Sequence, residues 1–165
     1  MRTQIMSSAQ INRTLNRLAY EIVERNRGAD NLVVIGIQRS GAVVATQMAN
    51  HINQIEDTKL VSVDLDVTAF RDDTPHDGVG VELPDLTDKD VILVDDVLFT
   101  GRTARAGLDA VIRSGRPKSI QLLVLIDRGH REYPIQPDYV GREIPTKHNE
   151  RVEVDTQEMV VYVVE

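Results

Sequence analysis

Two stretches of the chain repeat apolar residues every three or four positions, the spacing that places them on one face of a helix. The first runs from Ile11 to Val23, and Ser7 or Ser8 can cap the helix that it predicts. The second follows the turn-like residues 38–41 and runs from Val43 to Ile52. A third helix is predicted from about Arg102 to Ser114, because glycine and proline follow directly.

Short runs of almost purely apolar residues lie between these helices, at 32–37, 91–94 and 119–126. Such runs are typical of strands that are buried on both faces, and their alternation with helices predicts a parallel sheet covered by helices. Residues 60–67 alternate apolar and polar side chains, which predicts a strand with one wetter face. The pattern therefore predicts one α/β domain over residues 1–165.

Two regions lack this periodicity. Residues 68–88 contain two prolines and two glycines, and a structureless stretch of that length in a compact domain is usually functional or disordered. The last forty residues are also irregular, and they end on the apolar run 159–164, which predicts an edge strand.

Composition narrows the class of protein. The chain has no cysteine, which excludes disulfides and cysteine–metal sites and fits a reducing cytoplasm, where we expect the protein to act. No apolar run approaches the roughly 18 residues of a membrane span. The net charge of −7 argues against binding to nucleic acids, but the charge is unevenly distributed. Residues 56–96 hold 13 acidic and 3 basic residues, whereas the rest of the chain holds 13 acidic and 16 basic residues.

The segment 91–103, VILVDDVLFTGRT, carries the strongest candidate chemistry. Ligands of open α/β sheets bind where strands end, and here Asp95 and Asp96 follow four apolar residues. Hydroxyl residues and Gly101 then open a helix, whose free N–H groups and dipole favour a phosphate. The carboxylates repel a phosphate, so they suit ribose hydroxyls or Mg²⁺, or else they only cap the helix. No P-loop motif and no GxGxxG motif is present in the chain.

This segment resembles the motif with which type I phosphoribosyltransferases bind 5-phosphoribosyl 1-diphosphate (PRPP). The resemblance extends to one branch of that family, the PyrR proteins, which attenuate pyrimidine operons and are also uracil phosphoribosyltransferases. The matching segments are 15–28, 69–73, 91–103 and 115–146, and within them FRDD and DRGHRE separate PyrR proteins from other phosphoribosyltransferases. The resemblance implies the type I phosphoribosyltransferase fold, a central mostly parallel sheet flanked by helices, with a mobile loop over about 68–88 and a small hood over about 127–165.

The resemblance also implies a role for each residue of the PRPP motif. Asp95 and Asp96 bind the ribose hydroxyls, and Mg²⁺ is held mainly through the substrate, with these two carboxylates as its candidate protein ligands. Asp96 either stabilises the positive charge that develops in the reaction or is a ribose ligand only. Arg71, at the start of the mobile loop, is the third catalytic candidate. The implied 5′-phosphate site and its loop comprise Val97, Leu98, Phe99, Thr100, Gly101, Arg102 and Thr103.

The pyrophosphate loop departs from the PyrR pattern. PyrR proteins commonly have Lys-Thr-Arg-Gly where this chain has Gln38-Arg39-Ser40-Gly41. Arg39, Ser40 and Gly41 remain the implied PRPP ligands. Either Arg39 compensates for the basic residue that Ser40 replaces, or the contact with pyrophosphate is weaker.

The segment after the last long strand is where type I enzymes recognise the base. The implied uracil ligands are Ile126, Asp127, Arg128 and Gly129. The RNA contacts that the resemblance implies are Arg17, Arg27, His130, Arg131, Arg142 and Lys147. His130 is open to a structural role as well. This RNA match is partial, because Asn16, Tyr20 and Gln136 replace residues that are frequent in other PyrR proteins.

Two functions follow as expectations. One is an enzyme that converts uracil and PRPP to UMP and diphosphate, and the other is a regulator whose binding to the pyrimidine (pyr) mRNA leader hairpin depends on UMP. PyrR proteins combine both functions, and the resemblance implies a homodimer or higher homo-oligomer. The alternative is a plain phosphoribosyltransferase for uracil or another nucleobase, without RNA binding.

Overall fold

The computed structural model describes residues 1–71 and 82–165. Helices and strands in these two ranges alternate over most of the chain, as the apolar pattern predicts. The elements are β1 (Arg2–Met6), α1 (Ser8–Asn26), β2 (Leu32–Ile37), α2 (Ser40–Glu56), β3 (Val63–Leu65), a 3₁₀ turn (Thr68–Phe70), β4 (Asp90–Leu98), α3 (Arg102–Ile112), β5 (Ser119–Asp127), β6 (Tyr139–Glu143), β7 (Arg151–Asp155) and β8 (Val160–Val164).

The centre of the fold is a five-stranded sheet in the order β3-β2-β4-β5-β6, and every neighbouring pair in it is parallel. Its three central strands, β2, β4 and β5, are largely apolar on both sides because helices cover both faces. Alternate residues of β4 show this: Ile92 packs with α1 and α2, whereas Leu93 packs with α3. The predicted α/β fold with a parallel sheet is confirmed.

Helix α1 begins where the sequence predicts, with Ser7 as its cap. The Ser7 hydroxyl accepts a hydrogen bond from the Gln10 N–H, and the Gln10 side chain accepts one from the Ser7 N–H, which together form a capping box. The helix ends at Arg27, whose backbone is left-handed (φ 55°) and donates to carbonyls of the preceding turn. The fully buried Leu15, Leu18 and Ile22 anchor α1 on the sheet.

A second sheet of three antiparallel strands, in the order β1-β8-β7, corrects the prediction for both chain ends. The run 159–164 was predicted as an edge strand, but β8 is the central strand, with β1 on one side and β7 on the other. Strands β1, β6 and β7 are too short and too polar to show periodicity in the sequence. The predicted hood over 127–165 therefore includes a strand from the start of the chain.

Three further boundaries differ from the sequence prediction. Strand β3 covers only Val63–Leu65 instead of 60–67, since Val61 is 83% exposed and Asp66 accepts turn-forming hydrogen bonds from Thr68. Strand β4 is longer than 91–94 and runs to Leu98, and α3 ends at Ile112. The predicted mobile loop 68–88 falls in part outside the described residues, as do the two aspartates of the FRDD motif.

None of the helices in the described part of the chain combines the length and the hydropathy that a membrane-spanning segment requires.

Candidate active site

Three loops leave the parallel sheet side by side at the carboxyl ends of β2, β4 and β5. Gly36 of β2 pairs with Val94 of β4, so residues 38–41 emerge beside the aspartate pair. Leu98 of β4 pairs with Asp127 of β5, so the loop after Leu98 and the loop after Asp127 are immediate neighbours. The sheet thus brings together the predicted pyrophosphate, phosphate and base-recognition segments.

The aspartate pair belongs to β4 and does not cap α3, which begins only after Gly101. Asp95 is 8% exposed, and its Oδ1 accepts a hydrogen bond of 2.8 Å from the Asp96 N–H. Burial raises the pKa of the Asp95 carboxyl well above its usual range, the neighbouring Asp96 raises it further, and Arg71 opposes the shift. A cation or sugar hydroxyls in contact with this carboxylate would stabilise its ionised form.

Asp95 and Asp96 limit the kind of metal site that is possible at this position. In the two described ranges, no cluster of three or more His, Cys, Asp or Glu side chains can enclose an ion. Mg²⁺ usually binds through one or two carboxylates together with water and substrate phosphates, rather than in a cage made by the protein alone. Two adjacent carboxylates therefore fit a magnesium ion that arrives with a phosphorylated substrate.

A cavity of about 280 Å³ lies against the loop between β4 and α3. Its lining residues are Arg71, Asp95, Val97, Leu98, Phe99, Thr100, Gly101, Arg102, Thr103 and Ala104. Gly101 has a φ of 92°, which glycine adopts without strain, and the helix that follows directs its first N–H groups to this side. Arg71 donates a hydrogen bond of 3.1 Å to the Thr103 hydroxyl, which joins two predicted site residues that lie far apart in sequence.

Two details of this loop differ from the prediction. Val97 and Leu98 were predicted as loop residues, but both belong to β4, and Leu98 is buried in the core. The Arg102 side chain turns toward the hood. It donates to a Glu132 carboxylate oxygen at 2.8 Å and to the Tyr133 hydroxyl at 2.9 Å.

The predicted pyrophosphate loop packs tightly against the aspartate pair. A Cβ atom on Gly41 would lie 2.9 Å from the Val94 carbonyl oxygen and 3.0 Å from Asp95 Oδ1, so only glycine allows this approach. Arg39 is exposed, Ser40 is the first residue of α2, and the Gln38–Arg39 peptide is cis. The loop thus presents a basic side chain and a helix start beside the carboxylates.

The predicted base-recognition loop borders a second cavity, of about 490 Å³. Arg128 is one of the residues that line this cavity, and its side chain is buried. It is 6% exposed, donates to the Thr146 hydroxyl at 3.0 Å and to the Lys147 carbonyl at 3.3 Å, and stacks 3.9 Å from the centre of the Phe99 ring. Burial lowers the pKa of the Arg128 guanidinium.

The rest of this loop forms a turn with an open side. Gly129 has a φ of 80°, its N–H donates to Asp127 Oδ1 at 3.1 Å, and a Cβ atom there would meet nothing within 4 Å. Ile126 is fully buried in the core, so only its backbone is available to a base. Polar backbone groups and one buried guanidinium thus surround space for a planar ring.

His130 lies in the same region and has aromatic neighbours. Its ring lies 4.2 Å from that of His148 and 6.0 Å from that of Phe99, and its Nε2 contacts the Thr146 carbonyl. Sequence reasoning missed Thr146, His148 and Tyr133 as members of the site. All three come from later segments whose approach to β4 and β5 leaves no periodic or motif signal.

The predicted RNA contacts do not form a single cluster. Arg17 donates to the Gly141 carbonyl at 2.8 Å, Arg142 donates to the Ile5 carbonyl at 2.8 Å, and both line a cavity of about 320 Å³ together with Arg13. Arg27 lies ten residues beyond Arg17, about 15 Å along the helix axis.

The other basic candidates lie on the hood. Lys147 is exposed and lies 3.5 Å from a Glu165 carboxylate oxygen. The Arg131 guanidinium points inward, toward Asp127 and Phe99, so the structure separates it from Arg17 and Arg142.

Known proteins are similar to this chain in sequence along nearly its whole length. The sequence model of the family described as "Phosphoribosyl transferase domain" matches residues 1–157. A Brevibacillus brevis protein named "Bifunctional protein PyrR" is 50% identical over 163 residues, which cover 95% of this chain and 91% of that protein. A Leuconostoc mesenteroides protein of the same name is 46% identical, with 94% and 92% covered.

Solved structures with similar folds are more distant in sequence. A hypoxanthine phosphoribosyltransferase of Trypanosoma cruzi superposes with a TM-score of 0.76 at 18% identity, covering 98% of this chain and 95% of that one. One from Staphylococcus aureus gives 0.71 at 22% identity, covering 86% and 77%. At this identity the likeness extends to the fold alone. Because the family match and the close relatives both span almost the entire sequence, this chain belongs to the phosphoribosyltransferase family, in its PyrR branch.

Proposed function

We propose that this protein transfers the phosphoribosyl group of PRPP to uracil, giving UMP and diphosphate, and that UMP promotes its binding to a pyr mRNA leader hairpin. The observation that carries the enzymatic half is the pairing of Leu98 with Asp127, which sets the cavity at the start of α3 next to the cavity at the base-recognition loop. A nucleotide that spans both cavities places its ribose over the aspartate pair. Residues 1–165 act in this proposal as one phosphoribosyltransferase domain.

Each loop has one task in the reaction. Backbone N–H groups at the start of α3 and the hydroxyls of Thr100 and Thr103 bind the 5′-phosphate. Asp95 and Asp96 bind the ribose hydroxyls, and Arg39, Ser40 and Gly41 border the diphosphate. Ile126 through its backbone, with Asp127, Arg128 and Gly129, borders the edge of uracil.

Positioning of the two substrates and stabilisation of the charges that develop are sufficient to catalyse this reaction. The bond from the anomeric carbon to diphosphate breaks as the bond to uracil N1 forms, and the N1 proton passes to solvent water. The carboxylate of Asp96 stabilises the positive charge that develops on the sugar, and Arg71 faces the departing negative charge. Mg²⁺, when bound with the substrate, neutralises the diphosphate, and Asp95 and Asp96 would hold it from the side of the protein.

Turnover tests the enzymatic half directly. The purified protein is expected to form UMP from uracil and PRPP in the presence of Mg²⁺, and to form no nucleotide from hypoxanthine. Both reactions are followed by separating the nucleotide product from the base. Turnover of hypoxanthine but not of uracil would identify a purine-type enzyme instead, and absence of any product would reject the proposal.

The RNA-binding half rests on the basic cavity between α1 and β6. Arg17 and Arg142 are anchored there by carbonyl groups, which fixes their guanidinium groups at the surface beside Arg13. Arg27, His130, Arg131 and Lys147 complete the proposed contacts. Phosphate contacts of this kind supply much of the affinity for RNA and make it dependent on salt.

A gel-shift titration with a pyr leader hairpin, with and without UMP, tests this half. We expect tighter binding with UMP. Arg142→Gln is expected to weaken binding about equally for different hairpin sequences and to reduce the slope of log K against log salt by about one. If low salt reveals no binding, the protein is a plain uracil phosphoribosyltransferase. Because both substrates and the transcript are found in the cytoplasm, we propose that the protein acts there. From the family resemblance we propose a homodimer or higher homo-oligomer.

A further inference from the structure

One arginine of the DRGHRE segment is bonded to both loops of the candidate site. Arg131 donates from Nη2 to Asp127 Oδ2 at 2.6 Å, from Nη1 to the Phe99 carbonyl at 3.0 Å and from Nε to the Ile135 carbonyl at 2.8 Å. Its side chain is 20% exposed and that of Asp127 is 13% exposed. Partly buried, charge-assisted bonds of this kind are stronger than exposed ones.

Asp127 passes this constraint on to the base-recognition loop. One of its carboxylate oxygens accepts from Arg131, and the other accepts from the Gly129 N–H. Gly129 forms the turn with a positive φ that borders the open side of the base cavity. The position of this turn therefore depends on a carboxylate that Arg131 holds in place.

The phosphate loop has further support that does not involve this side chain. The Thr100 carbonyl accepts from the N–H groups of Glu132 at 2.8 Å and Tyr133 at 2.9 Å, and Arg102 pairs with Glu132. These bonds keep the phosphate loop attached to residues 132–133 when the Arg131 side chain is removed. Loss of the guanidinium group therefore costs the phosphate loop one of several contacts, whereas it removes the bond that holds the Asp127 carboxylate.

From these contacts we propose that Arg131 is a positioning residue for base recognition, which acts through Asp127 and keeps the base loop in register with the phosphate loop. This inference rests on the proposed function and deepens it. Arg131 touches neither substrate in this role. Its loss weakens binding of the base half of a nucleotide and leaves the phosphate half intact.

The test compares UMP with ribose 5-phosphate, which lacks the base, by calorimetric titration of the full chain. For Arg131→Gln we expect the Kd for UMP to rise about tenfold, while the Kd for ribose 5-phosphate changes less than about threefold. The KM for uracil rises in the same variant, and the KM for PRPP does not. Arg131→Lys, which keeps the charge, is expected to recover part of the loss. Arg151→Gln is the matched control, since its side chain is 72% exposed on β7, where it lies 3.7 Å from a Glu153 carboxylate oxygen.

Asp127→Asn keeps the shape of the carboxylate and the bond from Gly129, and it provides a second variant should Arg131→Gln fold poorly. Because Arg131 acts through Asp127, the double variant is expected to lose no more UMP affinity than the weaker-binding single variant. Equal weakening of UMP and ribose 5-phosphate in Arg131→Gln would overturn the inference, as would UMP affinity within about twofold of that of the wild type. A wild type that neither binds UMP nor turns over uracil would reject the proposed function and this inference with it.

Discussion

The two sides of the candidate active site are built in different ways. The phosphate side is a strand, a loop and a helix that follow one another in sequence, and most of its candidate ligands lie in 95–103. The base side is assembled from segments far apart in the chain: Arg128 contacts Thr146 and Phe99, and the His130 ring lies 4.2 Å from that of His148.

This difference explains why one side carries a readable motif. A phosphate is recognised by backbone N–H groups and small residues, whose geometry a short segment determines by itself. A base is recognised by side chains and carbonyls that other segments must hold in place. Substitutions on the phosphate side should therefore affect the reaction as a whole, whereas those on the base side should affect binding of the base.

Asp95→Asn should have the largest effect on the phosphate side and separate activity from stability. We expect kcat/KM to fall by about 10²–10³, because the variant removes a charge that faces the ribose. Stability should change in the opposite direction. Burial raises the pKa of Asp95 in the folded protein above the value near 3.8 of an exposed aspartate. Ionisation of Asp95 therefore lowers the free energy of unfolding. This loss begins near pH 4 and grows until the pH has passed the raised pKa.

At pH 8 and without added Mg²⁺, the Tm of Asp95→Asn should therefore exceed that of the wild type. The difference should be about 2–4 °C for each kcal/mol by which ionised Asp95 lowers the free energy of unfolding, and it should vanish near pH 4. Thermal unfolding scans at the two pH values measure it. A variant less stable than the wild type at pH 8 would contradict the conclusion that the ionised Asp95 carboxylate is buried at a cost in stability.

Gly41→Ala tests the contact between the pyrophosphate loop and β4. The added Cβ would lie 2.9 Å from the Val94 carbonyl and 3.0 Å from Asp95 Oδ1, so the start of α2 or the carboxylate must move. We expect roughly a tenfold to hundredfold loss of kcat/KM and a loss of about 1–3 kcal/mol in the free energy of unfolding.

Gly129→Ala on the base side is the matched comparison for Gly41→Ala. Its Cβ meets nothing within 4 Å, and only the backbone is strained, at a cost of about 1–2 kcal/mol. Steady-state kinetics and urea unfolding distinguish the two variants. Equal losses of activity in both would remove the distinction between crowding and backbone strain.

Thr146→Val tests the base side alone. It removes the hydroxyl that accepts a hydrogen bond from Arg128 Nε and leaves the shape of the side chain nearly unchanged. We expect the KM for uracil to rise about threefold to tenfold while the KM for PRPP stays constant, since the phosphate loop has its own contacts. Thr146→Ser keeps the hydroxyl and should behave like the wild type. An equal rise in both KM values would show that the two sides are not separable.

Tyr139→Phe should have the smallest effect on activity and gives the baseline for both sides. Tyr139 is buried at the start of β6, where its hydroxyl donates to the Gln121 side chain. The start of β6 is the end of the sheet opposite the three loops. Loss of this bond should lower the free energy of unfolding by about 1 kcal/mol and leave kcat and both KM values within twofold of the wild type. A larger change in activity would mean that stability and catalysis are coupled through the sheet.

The sequence is most informative where structure is local. The run 32–37 predicts β2 with correct ends, and the segment 91–103 predicts a strand, a loop and a helix in succession, which the structure has. Strand β4 extends four residues past its predicted end because β5 continues to pair with it, and Val97 and Leu98 carry no signal of that pairing.

Prediction fails where distant segments meet. Strand β8 is apolar enough to be recognised, but its central position depends on β1, which lies more than 150 residues earlier. In the same way, nothing in the DRGHRE segment signals that the Arg131 guanidinium lies between Asp127 and the Phe99 carbonyl. A single sequence, read by itself, gives the residue type at each position but not the partner of that residue across the fold.

The joining of both chain ends in one small sheet has a consequence for the order of folding. All five strands of the parallel sheet have been synthesised once residue 143 is complete, and they form contacts between neighbouring segments. Strand β1 pairs with β8, whose last residue is Val164, and closing a loop of that length is slow. During synthesis β1 must therefore wait for β8, so the antiparallel sheet can be completed only after all strands of the parallel sheet have been made.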